Sequence, residues 1–276
     1  MPGMSVIPEQ SFSEELMEKK ALLVVSFGTS HADTRAKTID AVERALAAAA
    51  PDRRFYRAWT SGMIIRRLAR AGEIVPTVAE AMASMAADGV TDILVQPTHV
   101  LPGVEYDLMR ADIADAARGF SPVLRFGAPL LADDADLARI TEILGARFGD
   151  LPADTALLCM GHGTEHFAGA AYAALDYRFK RAGHRSFYMA TVEGYPAFDD
   201  ALAMLRERPE IRRVVLLPFM IVAGDHAKND MAGPDPDSWR SRLEAAGYGT
   251  ECLLRGLGED EAVRAMFVAH AQAAEG

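Results

Sequence analysis

Short apolar runs alternate with longer segments of helical periodicity along the whole chain. The apolar runs predict buried strands at residues 21–27, 55–60, 93–100, 123–127, 156–160, 186–192, 214–221 and 251–254. Between them, apolar positions recur at helical spacing, for example over residues 33–50, 168–181 and 261–274, while residues 224–238 are polar and predict a loop. Strands that alternate with helices are typical of a parallel sheet covered on both faces, so we predict an α/β fold.

The second part of the chain repeats the pattern of the first. Residues 22–29 resemble residues 157–164, residues 55–58 resemble 187–190, and residues 93–103 resemble 214–224. Three matches in the same order indicate an internal duplication. We therefore predict two similar Rossmann-like halves, each a parallel sheet flanked by helices, with a cleft between them. The predicted limits are 1–20 for a polar leader, 21–130 for the first half and 131–276 for the second half, whose closing helix is able to pack back on the first.

Composition restricts the class of partner. The 276 residues are 50% hydrophobic and carry a net charge of −10, which argues against nucleic acid, because phosphate neutralisation requires a basic surface. No apolar run approaches the length of a membrane span, and the N-terminal residues contain several glutamates and no apolar core. We therefore expect a cytoplasmic protein with neither a nucleic-acid nor a membrane partner.

Residues 157–166 are the most informative stretch. An apolar run leads into Gly161-His162-Gly163, which predicts a strand followed by a tight turn and a helix start. Ligands of open α/β sheets bind at the carboxyl ends of the strands, where such turns lie. An imidazole at this place can bind a metal or accept a proton near neutral pH. The alternative is that His162 merely caps the following helix.

Two further polar residues follow other predicted strands. Glu193 and His226, like His162, come directly after a strand or in the loop behind it, and the ends of parallel strands meet at one edge. Two imidazoles and one carboxylate suit a divalent ion such as Co²⁺, Fe²⁺, Ni²⁺ or Zn²⁺ in a site with open positions. Two alternatives stay open, since Glu193 also fits a helix cap and His226 a solvated loop residue. His99, at the end of a strand, is a secondary candidate.

The motifs at these positions resemble those of the anaerobic cobalt chelatases of the CbiK type, which belong to the class II chelatase group. The matching segments are residues 22–30 (LLVVSFGTS), 60–66 (TSGMIIR), 160–163 (MGHG), 192–196 (VEGYP), 222–231 (VAGDHAKNDM), 256–259 (GLGE) and 264–270 (RAMFVAH). The resemblance implies two α/β halves with a tetrapyrrole in the cleft between them. It also implies that His162 accepts a proton and that His162, Glu193 and His226 hold the metal.

The activity implied by this resemblance is insertion of Co²⁺ into sirohydrochlorin, a lyase reaction of anaerobic cobalamin biosynthesis. The metal is then a substrate, Fe²⁺ and Ni²⁺ are possible in its place, and no other cofactor is expected. We expect Glu105 to assist proton removal, and a homo-oligomer is implied. The residues expected to contact the macrocycle are Phe27, Gly28, Thr29, Ser30, Gly163 and His99, with Arg57, Arg66 and Lys228 as donors to its carboxylates. The alternatives are a sirohydrochlorin ferrochelatase for sirohaem and a metal-dependent hydrolase with the same ligands.

Overall fold

The computed structural model describes residues 19–276, so nearly all of the predicted leader lies outside the described residues. The first half consists of β1 (Lys20–Ser26), α1 (Ala32–Lys37), α2 (Ile39–Ala49), β2 (Arg54–Trp59), α3 (Gly62–Arg70), α4 (Val78–Ala87), β3 (Asp92–Pro97), α5 (Val104–Ala117) and β4 (Val123–Phe126). The second consists of α6 (Asp134–Phe148), β5 (Thr155–Gly163), α7 (Ala170–Arg181), β6 (Phe187–Glu193), α8 (Phe198–Arg206), β7 (Arg213–Pro218), α9 (Trp239–Ala245), β8 (Gly249–Cys252) and α10 (Glu261–Ala273).

The strands form two four-stranded sheets with the same topology. Their orders are β2-β1-β3-β4 and β6-β5-β7-β8, and every pair of neighbours is parallel. The central strands β1, β3, β5 and β7 are almost entirely buried, as their continuous apolar sequences predict. The predicted α/β fold of two similar halves is confirmed, because each strand of one sheet has a counterpart at the same place in the other.

The largest apolar cluster joins the two halves. It contains Val24, Val42 and Leu94 from the first half together with Phe219 and Phe267 from the second. Helix α10, although it comes last in the chain, packs against α2 and β3. Two further clusters bury the remaining faces of the sheets, one beneath α4 and α5 and one beneath α8 and α9. The exact limits of the halves stay a prediction.

The helix predicted over residues 33–50 is wrong in one respect, because it is broken at Thr38. This residue has φ −116° and ψ −87°, and its hydroxyl donates to the carbonyl of Thr34 at 2.7 Å. A Cβ on Gly258 would lie 3.0 Å from the Cα of Thr38, so the break faces a closely approaching segment from the other half. Periodicity does not reveal such a break, since both pieces keep their apolar face inward.

Two differences concern the candidate ligands. The strand expected to end at residue 160 continues as β5 through Gly163, because Gly161 pairs with Thr191 and Gly163 with Glu193 of β6. The segment 224–238, predicted as a loop, contains a π-helical turn at Ala227–Met231. His162 therefore lies on a strand rather than in a turn, and His226 lies at the start of a helical turn rather than in an open loop.

The helices of residues 19–276 include none that is long and apolar enough to cross a membrane.

Candidate functional site

The imidazoles of His162 and His226 lie side by side at the carboxyl edge of the second sheet. Their ring centroids are 4.8 Å apart and their planes cross at 87°. His162 is the last residue but one of β5, and His226 directly precedes the π-helical turn that follows β7. Because β5 and β7 are neighbours in the sheet, residues 64 positions apart in the chain come into contact.

Each ring has its Nδ1 atom in a hydrogen bond. Nδ1 of His162 lies 3.1 Å from the carbonyl oxygen of Gly163, and Nδ1 of His226 lies 2.5 Å from Oδ2 of Asp230. Carbonyl and ionised carboxylate oxygens only accept, so both Nδ1 atoms carry the hydrogen in the neutral rings. The Nε2 lone pairs are consequently left for another partner, which is the arrangement needed to bind a cation.

Glu193 lies on the neighbouring strand end but does not complete the set. It is the last residue of β6, its Cα pairs with that of Gly163, and it is exposed. Within residues 19–276 no three His, Cys, Asp or Glu side chains are arranged as they would be around a metal ion. The structure thus brings the two histidines together and leaves the carboxylate one strand away, with a flexible side chain facing solvent.

Two glycines allow the strand ends to approach each other. A Cβ on Gly163, whose φ is +89°, would lie 1.5 Å from the carbonyl oxygen of Glu193. A Cβ on Gly194, whose φ is +93°, would lie 3.0 Å from the carbonyl oxygen of Thr164. Only glycine fits the first of these positions, so the placement of His162 beside Glu193 depends on Gly163.

The residues expected on the opposite wall follow β1 and β3. Phe27 is 46% exposed, directly after β1, and Gly28, with φ +105°, packs its Cα against the ring of Trp59. Thr29 is buried and its hydroxyl accepts from the backbone N–H of His31 at 3.2 Å, whereas Ser30 is half-buried. The two halves approach each other at Gly103, where a Cβ would lie 3.9 Å from Oγ1 of Thr164. Glu105 follows Gly103 by two residues and is exposed in the first turn of α5.

His99 lies two residues after β3. Both of its ring nitrogens are buried and have no hydrogen-bond partner among residues 19–276. Burial lowers the pKa of His99 to about 4, so the imidazole is neutral at neutral pH. An unpartnered buried imidazole is costly, which makes His99 a residue that a ligand or a water would stabilise.

A repeated Gly-Thr-x-His motif links the halves in a reciprocal manner. In the first half Nε2 of His31 lies 2.9 Å from Oδ1 of Asp225, which belongs to the second half. In the second half Nε2 of His166 lies 3.8 Å from Oδ2 of Asp107, which belongs to the first. The preceding threonine accepts from the histidine N–H in both copies, at 3.2 Å and 3.1 Å. These contacts flank the candidate site, since Asp225 precedes His226 and His166 follows His162 by four residues.

Two of the alternative interpretations are wrong. Glu193 does not cap α8, because the N-cap of that helix is Ala197, whose N–H donates to Asp200 at 2.8 Å. His162 does not cap a helix either, since His166 accepts from Ala168 at the start of the following 3₁₀ turn. Arg57 is paired with Glu43 and Asp40, and its role as a donor to the substrate stays a prediction.

The model of one protein family matches almost the whole chain. It is the family described as cobalt chelatase (CbiK), and it matches residues 20–275. The chain belongs to the CbiK cobalt chelatase family. A sirohydrochlorin cobaltochelatase of Salmonella typhimurium is 44% identical over 253 residues, which cover 91% of this chain and 95% of that protein. The sirohydrochlorin cobaltochelatase CbiKC of Nitratidesulfovibrio vulgaris is 35% identical over 264 residues, covering 94% and 91%.

The fold of this CbiK family member also occurs in more distant chelatases. The structure of SirB from Bacillus subtilis with Fe³⁺ superposes with a TM-score of 0.66 at 12% identity, covering 93% of this chain and 95% of that one. The structure of CbiX, an enzyme of sirohaem biosynthesis in denitrifying bacteria, gives a TM-score of 0.54 at 21% identity, covering 92% and 99%. At these identities the likeness confirms the two-half fold alone.

Sequence reasoning missed Asp230, which contacts a candidate ligand, and the two aspartates that join the halves beside the site. Asp230 was not predicted to contact His226, because its i+4 spacing is meaningful only if residues 227–231 are helical. Asp225 and Asp107 were missed as well, since nothing in the order of the chain shows which loops of the two halves face each other. One sequence feature could have pointed to these contacts, namely the Gly-Thr-x-His motif that begins at Gly28 and is repeated at Gly163.

Proposed function

We propose that this member of the CbiK cobalt chelatase family inserts Co²⁺ into sirohydrochlorin, in anaerobic cobalamin biosynthesis. The observation that carries the proposal is the pair of imidazoles whose ring centroids are 4.8 Å apart, at the sheet edge that faces the other half. In both rings Nδ1 has a hydrogen-bond partner and Nε2 has none among residues 19–276. Two curated relatives that cover over nine-tenths of the chain are named for this activity. The proposed localisation is cytoplasmic and the proposed assembly a homo-oligomer.

The metal is the substrate, and its proposed ligands are His162, His226 and Glu193. The two imidazoles provide neutral nitrogen donors that suit a first-row divalent ion. Glu193 is exposed at the adjacent strand end, so a change of rotamer is enough to bring its carboxylate toward the imidazoles. A site with only two fixed ligands and one mobile one holds the ion loosely, as transfer to another ligand requires.

The flat ring of the macrocycle fits the apolar side chains behind the strands of both halves. Six of the large hydrophobic residues that are exposed lie just behind a strand or in the first turns of the following helix, namely Phe27, Met63, Val104, Leu108, Phe167 and Tyr195. Such a concentration of exposed apolar side chains is typical of a ligand site. With Gly28, Thr29, Ser30, Gly163 and His99, they form the proposed surface for the flat ring.

Insertion exchanges two pyrrolic N–H protons of the macrocycle for one divalent ion. We assign the first proton to Nε2 of His162, which has no hydrogen-bond partner within residues 19–276. This nitrogen becomes free to accept the proton as the ion passes from His162 to the macrocycle. Glu193 and, from the opposite wall, Glu105 are exposed carboxylates able to take the second proton to solvent. No electron is transferred in this exchange, so no redox cofactor is needed.

The carboxylates around the macrocycle require cationic partners on a chain of net charge −10. Arg66 is exposed in α3, directly behind β2, and Lys228 is half-buried in the turn behind His226. Both are proposed to donate charge-assisted hydrogen bonds to the rim carboxylates.

The proposal is tested by mixing the purified chain with sirohydrochlorin and Co²⁺ under anaerobic conditions and following the absorption of the macrocycle. We expect conversion that is proportional to protein concentration and exceeds the rate without protein. Parallel reactions with Fe²⁺ and Ni²⁺ measure the metal preference and so test the ferrochelatase alternative. Hydrolysis of simple esters or phosphates in the presence of Co²⁺, without macrocycle conversion, would contradict the proposal and support a hydrolase.

The reciprocal His–Asp contacts predict a moderate effect on macrocycle binding. Each pair is partly exposed, so each contributes on the order of 0.5 kcal/mol to the closed arrangement of the halves. We expect the double variant His31→Ala/His166→Ala to raise the KM for sirohydrochlorin about fivefold with little change in kcat. Steady-state kinetics measure this, with His184→Ala as the control for loss of an imidazole elsewhere. An unchanged KM would show that the contacts do not help to hold the cleft.

A further inference from the structure

The two imidazoles of the site have unequal partners. Nδ1 of His162 is bound to a backbone carbonyl, that of Gly163, at 3.1 Å, whereas Nδ1 of His226 is bound to the carboxylate of Asp230 at 2.5 Å. A carbonyl is neutral and a carboxylate carries a full charge. Hydrogen bonds to ionised acceptors are roughly twice as strong as neutral ones.

The contact between Asp230 and His226 is built into the local fold. The π-helical turn Ala227–Met231 places residues four positions apart on one face, and Ala227 and Met231 are fully buried and anchor the turn in the core. Asp230 itself is about half exposed, yet its Oδ2 is directed at the ring. Because the turn is held in the core by Ala227 and Met231, the distance between the Asp230 carboxylate and the His226 imidazole is fixed.

We infer that Asp230 is a positioning residue that makes His226 the metal anchor of the pair. Its carboxylate keeps the hydrogen of the neutral ring on Nδ1, which leaves Nε2 as the donor, and its charge strengthens that donor toward a cation. His162, whose partner is a neutral carbonyl, binds the ion less firmly and is left as the proton acceptor. This inference depends on the proposed function in one respect, namely that the bound metal is Co²⁺.

The test is a titration of the full-length protein with Co²⁺ in the absence of macrocycle, followed through the absorption of the bound ion. Asp230→Ala is compared with wild type, and the same change is made in a His226→Ala background. Asp237→Ala is the matched control, because it removes an exposed carboxylate of the same loop that, in residues 19–276, has no hydrogen bond to either imidazole. The KM values for Co²⁺ and for sirohydrochlorin are then measured separately.

We expect Asp230→Ala to weaken Co²⁺ binding about 10- to 100-fold in the wild-type background and less than about twofold in the His226→Ala background, because a residue that acts through another has no effect once that residue is gone. The KM for Co²⁺ should rise in parallel, while the KM for sirohydrochlorin stays unchanged. Asp230→Asn should recover part of the loss, since its amide oxygen can still accept from Nδ1. Asp237→Ala should behave as wild type.

Two results would overturn the inference. Equal losses of Co²⁺ affinity in both backgrounds would show that Asp230 binds the ion directly or acts by its charge alone. Unchanged Co²⁺ affinity in Asp230→Ala would show that the contact has no role in metal binding. Because the titration needs no macrocycle, its outcome stands apart from the proposed reaction, which fails only if the wild-type protein does not convert sirohydrochlorin.

Discussion

His162→Ala is expected to abolish cobalt insertion while leaving the fold intact. The side chain is exposed at the end of β5, and its hydrogen bond within residues 19–276 is to the carbonyl of its own neighbour, Gly163. Its removal therefore costs little folding free energy. It deletes one of the two adjacent metal donors and the proposed proton acceptor together, and loss of a general base alone lowers a rate by about 10²–10⁴-fold.

The measurement is kcat for cobalt insertion, with circular dichroism and thermal unfolding to show that the variant is folded. His184→Ala is a suitable control, because that imidazole stacks on Phe187, at the start of β6, and lies away from the strand ends that form the site. If His162→Ala inserted cobalt at the wild-type rate, the role assigned to this residue would be wrong. A variant that binds Co²⁺ with little loss yet turns over slowly would match the division of roles between His162 and His226.

The fold could be predicted from the sequence because buried strands and the internal duplication both leave recognisable patterns in short segments of the chain. Continuous apolar runs such as those of β1 and β7 identify buried parallel strands, and the ordered matches between residues 22–29 and 157–164 identify the duplication. The errors lie where a local pattern is ambiguous. Thr38 interrupts a helix without changing its apolar periodicity, and β5 runs on through two glycines that in isolation indicate a turn.

The proximity of the two candidate histidines was predictable, whereas their hydrogen-bond partners were not. Strand ends of a parallel sheet converge, so the proximity of His162 and His226 followed from the fold. The contact between His226 and Asp230 could not be predicted, because it depends on a π-helical turn that the polar sequence of this segment does not indicate. The contacts of His31 with Asp225 and of His166 with Asp107 depend on how two separate sheets face each other, which is a property of the tertiary structure alone.

Gly163→Ala is expected to inactivate the protein as severely as loss of a ligand, although it removes no functional group. A Cβ at this position would lie 1.5 Å from the carbonyl oxygen of Glu193 and 2.5 Å from its carbonyl carbon, both backbone atoms that no rotamer change can move. The ends of β5 and β6 must therefore separate, which displaces His162 from Glu193. A displacement of about 1 Å at a reacting centre costs on the order of 10²-fold in rate.

The matched control separates this collision from backbone strain. Gly183→Ala imposes a similar positive φ, +93° against +89° at Gly163, but a Cβ there meets no atom within 4 Å. Both variants should lose about 1–2 kcal/mol of folding free energy from the left-handed conformation. Gly163→Ala should be destabilised further by the collision with Glu193, and activity should be lost in Gly163→Ala alone. Equal kcat/KM values for the two variants would mean that the approach of the strand ends does not position His162, and that the imidazole pair tolerates a separation of β5 from β6.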